Sequence, residues 1–147
     1  MRRAITIASL AALVSCQGPP ARAQGATTYK ARLSTVPVDT PMAATITGSG
    51  SVTATLTGTK LAVTGTFEGL QSPATVARVH RGPKGIRGPA AFDLKVTTGT
   101  SGTISGAIDL TPAQVADFGR DRFYVQLHSE KAPEGNLWGW LLSQESR

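Results

Sequence analysis

The chain has two histidines, His80 and His128, and an imidazole nitrogen is a good ligand for zinc or copper. Glu130 is a further candidate ligand because it follows His128 closely. Arg78 would share a strand face with His80, and its permanent positive charge would oppose a cation there. Zinc and copper usually take three or more protein ligands, so the sequence predicts at most a weak copper or zinc site. Alternatively, both histidines lie on polar strand faces and hydrogen-bond to loops.

A second candidate site is aromatic and lies near the C-terminus. Trp138 and Trp140 are two residues apart, so on a strand they share one face. If this strand pairs antiparallel with the strand before it, Trp138 lies opposite Gln126 and Trp140 opposite Tyr124. An exposed aromatic row beside an amide suits a sugar or a peptide. A slip of one residue would bury the tryptophans, and residues 29–50 or a partner sheet could cover the face.

A third candidate is a basic loop at residues 78–87, with Arg78, Arg81, Lys84 and Arg87. Its charge could meet anionic lipid headgroups or an envelope polysaccharide. A solvated surface loop is the alternative reading, since proteins carry surface charge for solubility.

Catalytic motifs are absent from the sequence. It contains no nucleophile elbow, zinc-protease helix motif, phosphate-binding loop or dinucleotide fingerprint. Ser129 and Glu130 follow His128 directly, but adjacent residues on a strand face opposite ways, so their order does not indicate a catalytic triad. The chain is therefore predicted not to be an enzyme.

These side chains must be positioned by β-strands, because apolar and polar residues alternate with period two along much of the chain. Each strand would have one apolar and one wet face. Six to eight such strands predict an all-β fold, an antiparallel Greek-key or immunoglobulin-like β-sandwich or barrel. The residues predicted to point inward are Val52, Ala54 and Leu56; Leu61, Val63 and Phe67; Phe92, Leu94 and Val96; Ile104, Ile108 and Leu110; and Phe123, Val125 and Leu127.

One short helix is predicted at about residues 111–118. Thr111 is a suitable N-cap, Pro112 suits the first helical position, and Gln114 can complete a capping box. Gly119 is a suitable stop. We expect the helix to close one end of the β-structure.

The N-terminus is typical of a secretory signal peptide. Arg2 and Arg3 precede an apolar run at residues 4–14. That run is too short to span a bilayer, which takes about 20 residues. Export to the periplasm or outside the cell is therefore predicted.

Two processing sites remain open. The letters LVSC at 13–16 resemble a bacterial lipobox, which would make 1–15 the signal and Cys16 a lipidated membrane anchor, with association to the outer membrane. The letters ARA at 21–23 fit cleavage before Gln24. Residues 24–28 are predicted to be a tether, and 29–147 one domain.

The net charge and the cysteine content limit the possible functions and the ways in which the domain can be stabilised. Removal of residues 1–23 takes away three of the 15 basic residues, against 9 acidic ones, so the net charge falls from +6 to about +3. This charge is too small to predict nucleic-acid binding. Cys16 is the only cysteine, so the domain has no internal disulfide and its core alone must stabilise it.

From about Tyr29 to Leu142 the chain resembles the CHRD domain family, first described in chordin and also found in exported bacterial proteins. The residues that carry this resemblance are Leu56-Thr57-Gly58, Val63-Thr64-Gly65-Thr66-Phe67-Glu68-Gly69-Leu70, Val79-His80, Gly88-Pro89, Gly102-Thr103-Ile104-Ser105-Gly106, Leu110-Thr111-Pro112, Phe123-Tyr124-Val125, His128 and Gly135. The resemblance implies an immunoglobulin-like or barrel-like β fold and no established catalytic activity.

The chain departs from the family pattern in two places. Where the family often has His-x-His, this chain has Arg78-Val79-His80, and where the family often has Gly-Glu-Ile-Arg-Gly-Gln, it reads GNLWGW at 135–140. From the predicted export, the missing catalytic motifs and this resemblance, we expect a non-enzymatic binding or structural module of the bacterial cell envelope. Its partner would be an envelope polysaccharide, a peptide or a protein, and its cofactor none, or copper or zinc in the alternative reading.

Overall fold

A computed structural model describes residues 25–37 and 40–144. The predicted signal segment and Cys16 lie outside the described residues. Within the described part, the chain forms nine strands and one helix: β1 (Thr27–Thr35), β2 (Ser49–Thr57), β3 (Lys60–Glu68), β4 (Ala74–Arg81), β5 (Ala90–Val96), β6 (Gly102–Asp109), α1 (Pro112–Phe118), β7 (Phe123–Ser129), β8 (Ala132–Trp140) and β9 (Leu142–Ser143).

Eight of these strands close into an antiparallel barrel. Their order is β2-β3-β6-β5-β4-β7-β8-β1, and β1 also pairs with β2, which joins the two ends. The two-residue strand β9 adds to β1. The all-β prediction and its barrel alternative are confirmed, whereas the two-sheet immunoglobulin-like sandwich does not match. Closure places β4 beside β7, although β5, β6 and α1 separate them in sequence.

The strands point their apolar side chains inward with the predicted parity. Val52, Val63, Ile104, Val125 and Leu127 are all buried in one core. Strand β7 differs from the prediction, because its outward side chains Tyr124 and Gln126 are buried as well. One apolar and one wet face therefore describes most of the barrel but not β7.

Strand β1 is the closing strand, and the sequence analysis left it unassigned. Tyr29, Ala31 and Leu33 alternate inward and are buried. The strand pairs with β2 over seven residue pairs and with β8 at its far end. It begins at Thr27, inside the segment that was predicted to be a tether.

The predicted helix is confirmed in detail. The Thr111 hydroxyl accepts a hydrogen bond from Gln114 N, and the Gln114 side chain accepts one from Thr111 N. Pro112 opens the helix and Gly119 follows its end. Phe118 is fully buried and stacks on Phe123, with ring centroids 4.3 Å apart. The helix therefore adds its apolar face to the barrel core.

Two connecting segments pack against the outside of β7 and β8. In the first, Val36 and Ile46 form a small apolar cluster with Ala132 and Trp138. The second is residues 82–88, which we call the 82–88 loop. Gly88 lies so close to β4 that a Cβ atom there would overlap the Arg81 carbonyl, so only glycine fits.

Removing the Phe118 ring tests whether α1 is part of the core. Phe118→Ala is expected to lower the free energy of unfolding by about 3–5 kcal/mol, because a large buried ring is lost. Ile86→Ala, at a side chain that is 59% exposed, is the matched control and should change it by less than about 0.5 kcal/mol. Urea denaturation measures both, and equal effects would show that α1 packs only loosely.

Candidate functional site

The candidate side chains lie on the outer surface of β4, β7 and β8. Gln126 pairs with Trp138 and Tyr124 pairs with Trp140, which is the register that the sequence predicted. On its other side, β7 pairs with β4, so that Arg78 faces Gln126 and His80 faces Tyr124. The three strands therefore carry two adjacent rows of side chains. One row is Arg78, Gln126 and Trp138, and the other is His80, Tyr124 and Trp140.

The predicted exposed aromatic surface needs correction. Tyr124 is 0% exposed and Gln126 is 3% exposed, so neither offers a binding surface. Trp138 and Trp140 are half-buried. Connecting segments cover this aromatic face, as the alternative with residues 29–50 expected in part. Described residues within 36–37 and 40–47 supply part of the cover, and the 82–88 loop, which the sequence did not place over this face, supplies the rest.

The 82–88 loop is attached to the aromatic side chains by hydrogen bonds. The Tyr124 hydroxyl accepts one from Gly88 N at 3.0 Å and donates one to Gly88 O at 3.3 Å. Trp140 Nε1 donates to Gly82 O at 3.2 Å. The signal for this loop in the sequence was its glycines and prolines, which indicated a turn but not where the turn packs.

The Gln126 amide has a structural partner. Its Nε2 donates to Glu134 O at 2.8 Å. Gly135 has a φ of 129° in the left-handed region, and a Cβ atom there would overlap this amide. Gln126 therefore supports the first half of β8, and it is not available to a ligand.

The half-buried tryptophans and the exposed Arg87 lie together as one partly accessible strip. The Trp138 and Trp140 rings are 4.7 Å apart and packed edge to face. The Arg87 guanidinium carbon lies 6.0 Å from the Trp138 ring centroid, and Arg87 Nη1 donates to Glu134 O. This geometry is that of a cation–π contact at a partly solvated site. We call Trp138, Trp140 and Arg87 the aromatic strip.

The other residues of the predicted basic loop have acidic partners. Arg78 Nε bonds Asp93 at 2.8 Å, Arg81 pairs with Asp117, and Lys84 lies 3.6 Å from Asp121. Asp117 is buried, unlike a solubilising surface carboxylate. Pairing reduces the positive field that was expected at this loop. Arg87 alone of the four basic candidates is not in an ion pair within the described residues.

The two histidines come close together. Their ring centroids are 6.4 Å apart, and His80 also stacks on Tyr124 at 5.1 Å. Each ring is held by a backbone carbonyl: His80 Nδ1 lies 2.9 Å from Gly88 O, and His128 Nδ1 lies 2.8 Å from Pro133 O. Hydrogen bonding to a loop is therefore confirmed for His80, whereas His128 bonds to Pro133 at the start of β8. Because a carbonyl only accepts, each ring donates from Nδ1 when neutral, which leaves Nε2 as the acceptor.

Both Nε2 atoms are shielded from solvent and have no hydrogen-bond partner in the described part of the chain. No group of three or more His, Cys, Asp or Glu residues there could hold a metal ion, so Glu130 does not complete a three-ligand site. Unpartnered buried nitrogens are rare in folded proteins and need an explanation.

Burial lowers the pKa of His128, and the positive charges of His80 and Arg78 act in the same direction. The hydrogen bond to Pro133 O and the charge of Glu134 oppose this shift without cancelling it. The neutral ring of His128 is therefore favoured at neutral pH.

The lowered pKa of His128 predicts that the protein loses stability in mild acid. The unfolded chain takes up a proton at this residue below about pH 6.5, whereas the folded chain resists it, so the free energy of unfolding should fall as pH drops through that value. His128→Gln should flatten this dependence. Urea denaturation at several pH values measures the slope. An imidazole pKa for His128 at or above about 6.5, from an NMR titration, would contradict the argument.

The chain matches one family of known proteins. The family model of the CHRD domain matches residues 29–141, which span the barrel from β1 to the end of β8 and include α1. Searches of curated proteins and of solved structures found no match. In the described residues, no helix has the length and apolar character needed to cross a membrane. Because the family model matches most of its length, the chain belongs to the CHRD domain family.

Proposed function

We propose that this protein is an exported, non-enzymatic binding module of the bacterial cell envelope, and that it contacts envelope polysaccharide through the aromatic strip. The basic start and the apolar run at residues 4–14 support export. Membership of the CHRD domain family is consistent with a binding role, because the family has no established catalytic activity.

The observation that carries the binding proposal is the placement of Arg87 against Trp138. Indole faces suit sugar rings, which present apolar C–H faces together with hydroxyl groups. A guanidinium beside them would favour a sugar that carries a carboxylate or phosphate. Trp140 extends the strip by a second ring, and its indole nitrogen is fixed by Gly82 O. An acidic polysaccharide therefore fits the strip better than a neutral one.

A non-catalytic role is supported by the surroundings of the Ser129 hydroxyl, which belongs to the residue after His128. Ser129 follows His128, but its Oγ is buried and donates to Asn136 Oδ1 at 3.0 Å. Asn136 Nδ2 in turn donates to Thr47 O at 2.7 Å. These bonds hold Thr47 against β8, which is a structural role for both side chains.

Binding to immobilised polysaccharides tests the proposal. The protein should be retained by a uronic-acid polymer more strongly than by a neutral glucan of equal length. Trp138→Ala should weaken retention about tenfold or more, as expected for a central aromatic contact. Arg87→Gln should remove the preference for the acidic polymer. Lys95→Gln, on strand β5, is the matched charge control. Equal retention of Trp138→Ala and the unaltered protein would contradict the proposal.

Export has its own test. Intact mass measured on cell fractions should show either a diacylglyceryl-modified chain starting at Cys16, in the membrane fraction, or a plain chain starting at Gln24, in the periplasm or medium. A chain that keeps residues 1–15 and stays in the cytoplasm would refute export.

A zinc or Cu(II) protein is the second candidate function. It would use His80 and His128, whose unpartnered Nε2 atoms are the observation in its favour. Two imidazoles without a carboxylate or thiolate are too few for these ions, which take three or more protein ligands. The binding module is therefore the better-supported function.

A further inference from the structure

The geometry points to a copper(I) site between His80 and His128, in which the two Nε2 atoms bind one ion in line. The site shares no residue with the aromatic strip, and the proposal does not depend on polysaccharide binding. Four observations carry it: how the rings are anchored, how they face each other, which charges surround them and how few donors are present.

The rings of His80 and His128 are anchored in the way that metal-bound histidines usually are. A ligating imidazole usually donates its other ring N–H to a carbonyl or carboxylate, which fixes the tautomer and the ring orientation. His80 Nδ1 has Gly88 O for this purpose, and His128 Nδ1 has Pro133 O. Both rings are therefore oriented so that the lone pair of Nε2 is available to a metal ion. That the same unusual state occurs in both neighbouring histidines argues against chance.

The rings lean towards each other. His80 faces Tyr124 in the register, and His128 lies four residues further along β7. Four strand residues span about 13 Å, yet the ring centroids are 6.4 Å apart. The two side chains must therefore reach towards each other across the row that contains Gln126, and both of their Nε2 atoms are buried there without a hydrogen-bond partner.

The separation fits a linear two-coordinate ion. A metal–imidazole bond of about 2.0 Å places the ring centroid about 3.2 Å from the metal, so two rings in line are about 6.4 Å apart. Two rings on a tetrahedral ion would lie closer together. Among biological metals, the closed-shell Cu(I) ion accepts two ligands in line, and imidazole suits copper.

The charges near the site favour a monovalent ion. Arg78 and Glu134 are the charged groups that act on His128, besides His80 itself. Arg78 is drawn to Asp93 on β5, on the side of β4 away from β7, which weakens its repulsion of a cation. With one carboxylate nearby and a guanidinium in the next position, a single positive charge is tolerated better than two.

Cu(I) titration against a chromogenic copper(I) chelator, under reducing and oxygen-free conditions, tests the proposal. The full chain should carry Cys16→Ser, because the Cys16 thiolate would itself bind Cu(I). One Cu(I) per chain is expected, with an X-ray absorption edge of the linear two-coordinate type. His80→Gln and His128→Gln should each weaken binding at least about 100-fold, since even a lost supporting contact costs 10–100-fold. Met42→Leu, at an exposed thioether, is the control and should bind normally.

Several results would overturn the proposal. They are no uptake of Cu(I) by the Cys16→Ser chain, uptake that survives either histidine substitution, or displacement of Cu(I) by an equal concentration of Zn(II). If the substituted proteins fail to fold by circular dichroism, nitrogen-15 NMR of the Cys16→Ser chain decides instead. One equivalent of Cu(I) should then shift both Nε2 resonances and leave both Nδ1–H groups bonded, and unchanged Nε2 resonances would end the proposal.

Discussion

The candidate site depends on the two hydrogen bonds between the Tyr124 hydroxyl and the backbone of Gly88. A buried hydroxyl is costly unless it is bonded, and here one glycine satisfies it as both donor and acceptor. These bonds hold the 82–88 loop over β7, which brings Gly88 O to His80 and Gly82 O to Trp140. Without this attachment the same side chains would lie on an open sheet face.

The two departures from the family pattern meet in one row of the barrel. Arg78 and Trp138 flank Gln126 on neighbouring strands. The family pattern often has a histidine at the first position and an arginine at the second, so this chain carries its guanidinium on β4 in place of β8. Asp93 then pairs with Arg78, and the space beside Trp138 is taken by Arg87. The departures therefore change the charged and aromatic side chains of this row, whereas His80, Tyr124 and His128 match the family pattern.

Closure of the barrel explains how the domain does without a disulfide. Strand β1 pairs with both β2 and β8, so the main ladder leaves no long open edge. The inward residues of all eight strands then share one core with α1. A continuous core supplies the hydrophobic free energy of folding, which suits a chain whose only cysteine, Cys16, precedes the barrel in sequence.

The sequence by itself determined the strand parity and the helix with its capping box, and it predicted the β7–β8 register that the structure has. Each follows from residues close together in the chain: a period of two, a hydroxyl three residues before an amide, and two strands joined by one short connection. It indicated two histidines, two tryptophans and four basic residues, but not their surroundings. Only the tertiary structure decided that β4 lies beside β7, that the 82–88 loop covers Tyr124, and that three of the basic residues are paired. These contacts join residues far apart in sequence, and their partners are selected by how the closed barrel orders its strands, which local periodicity does not encode.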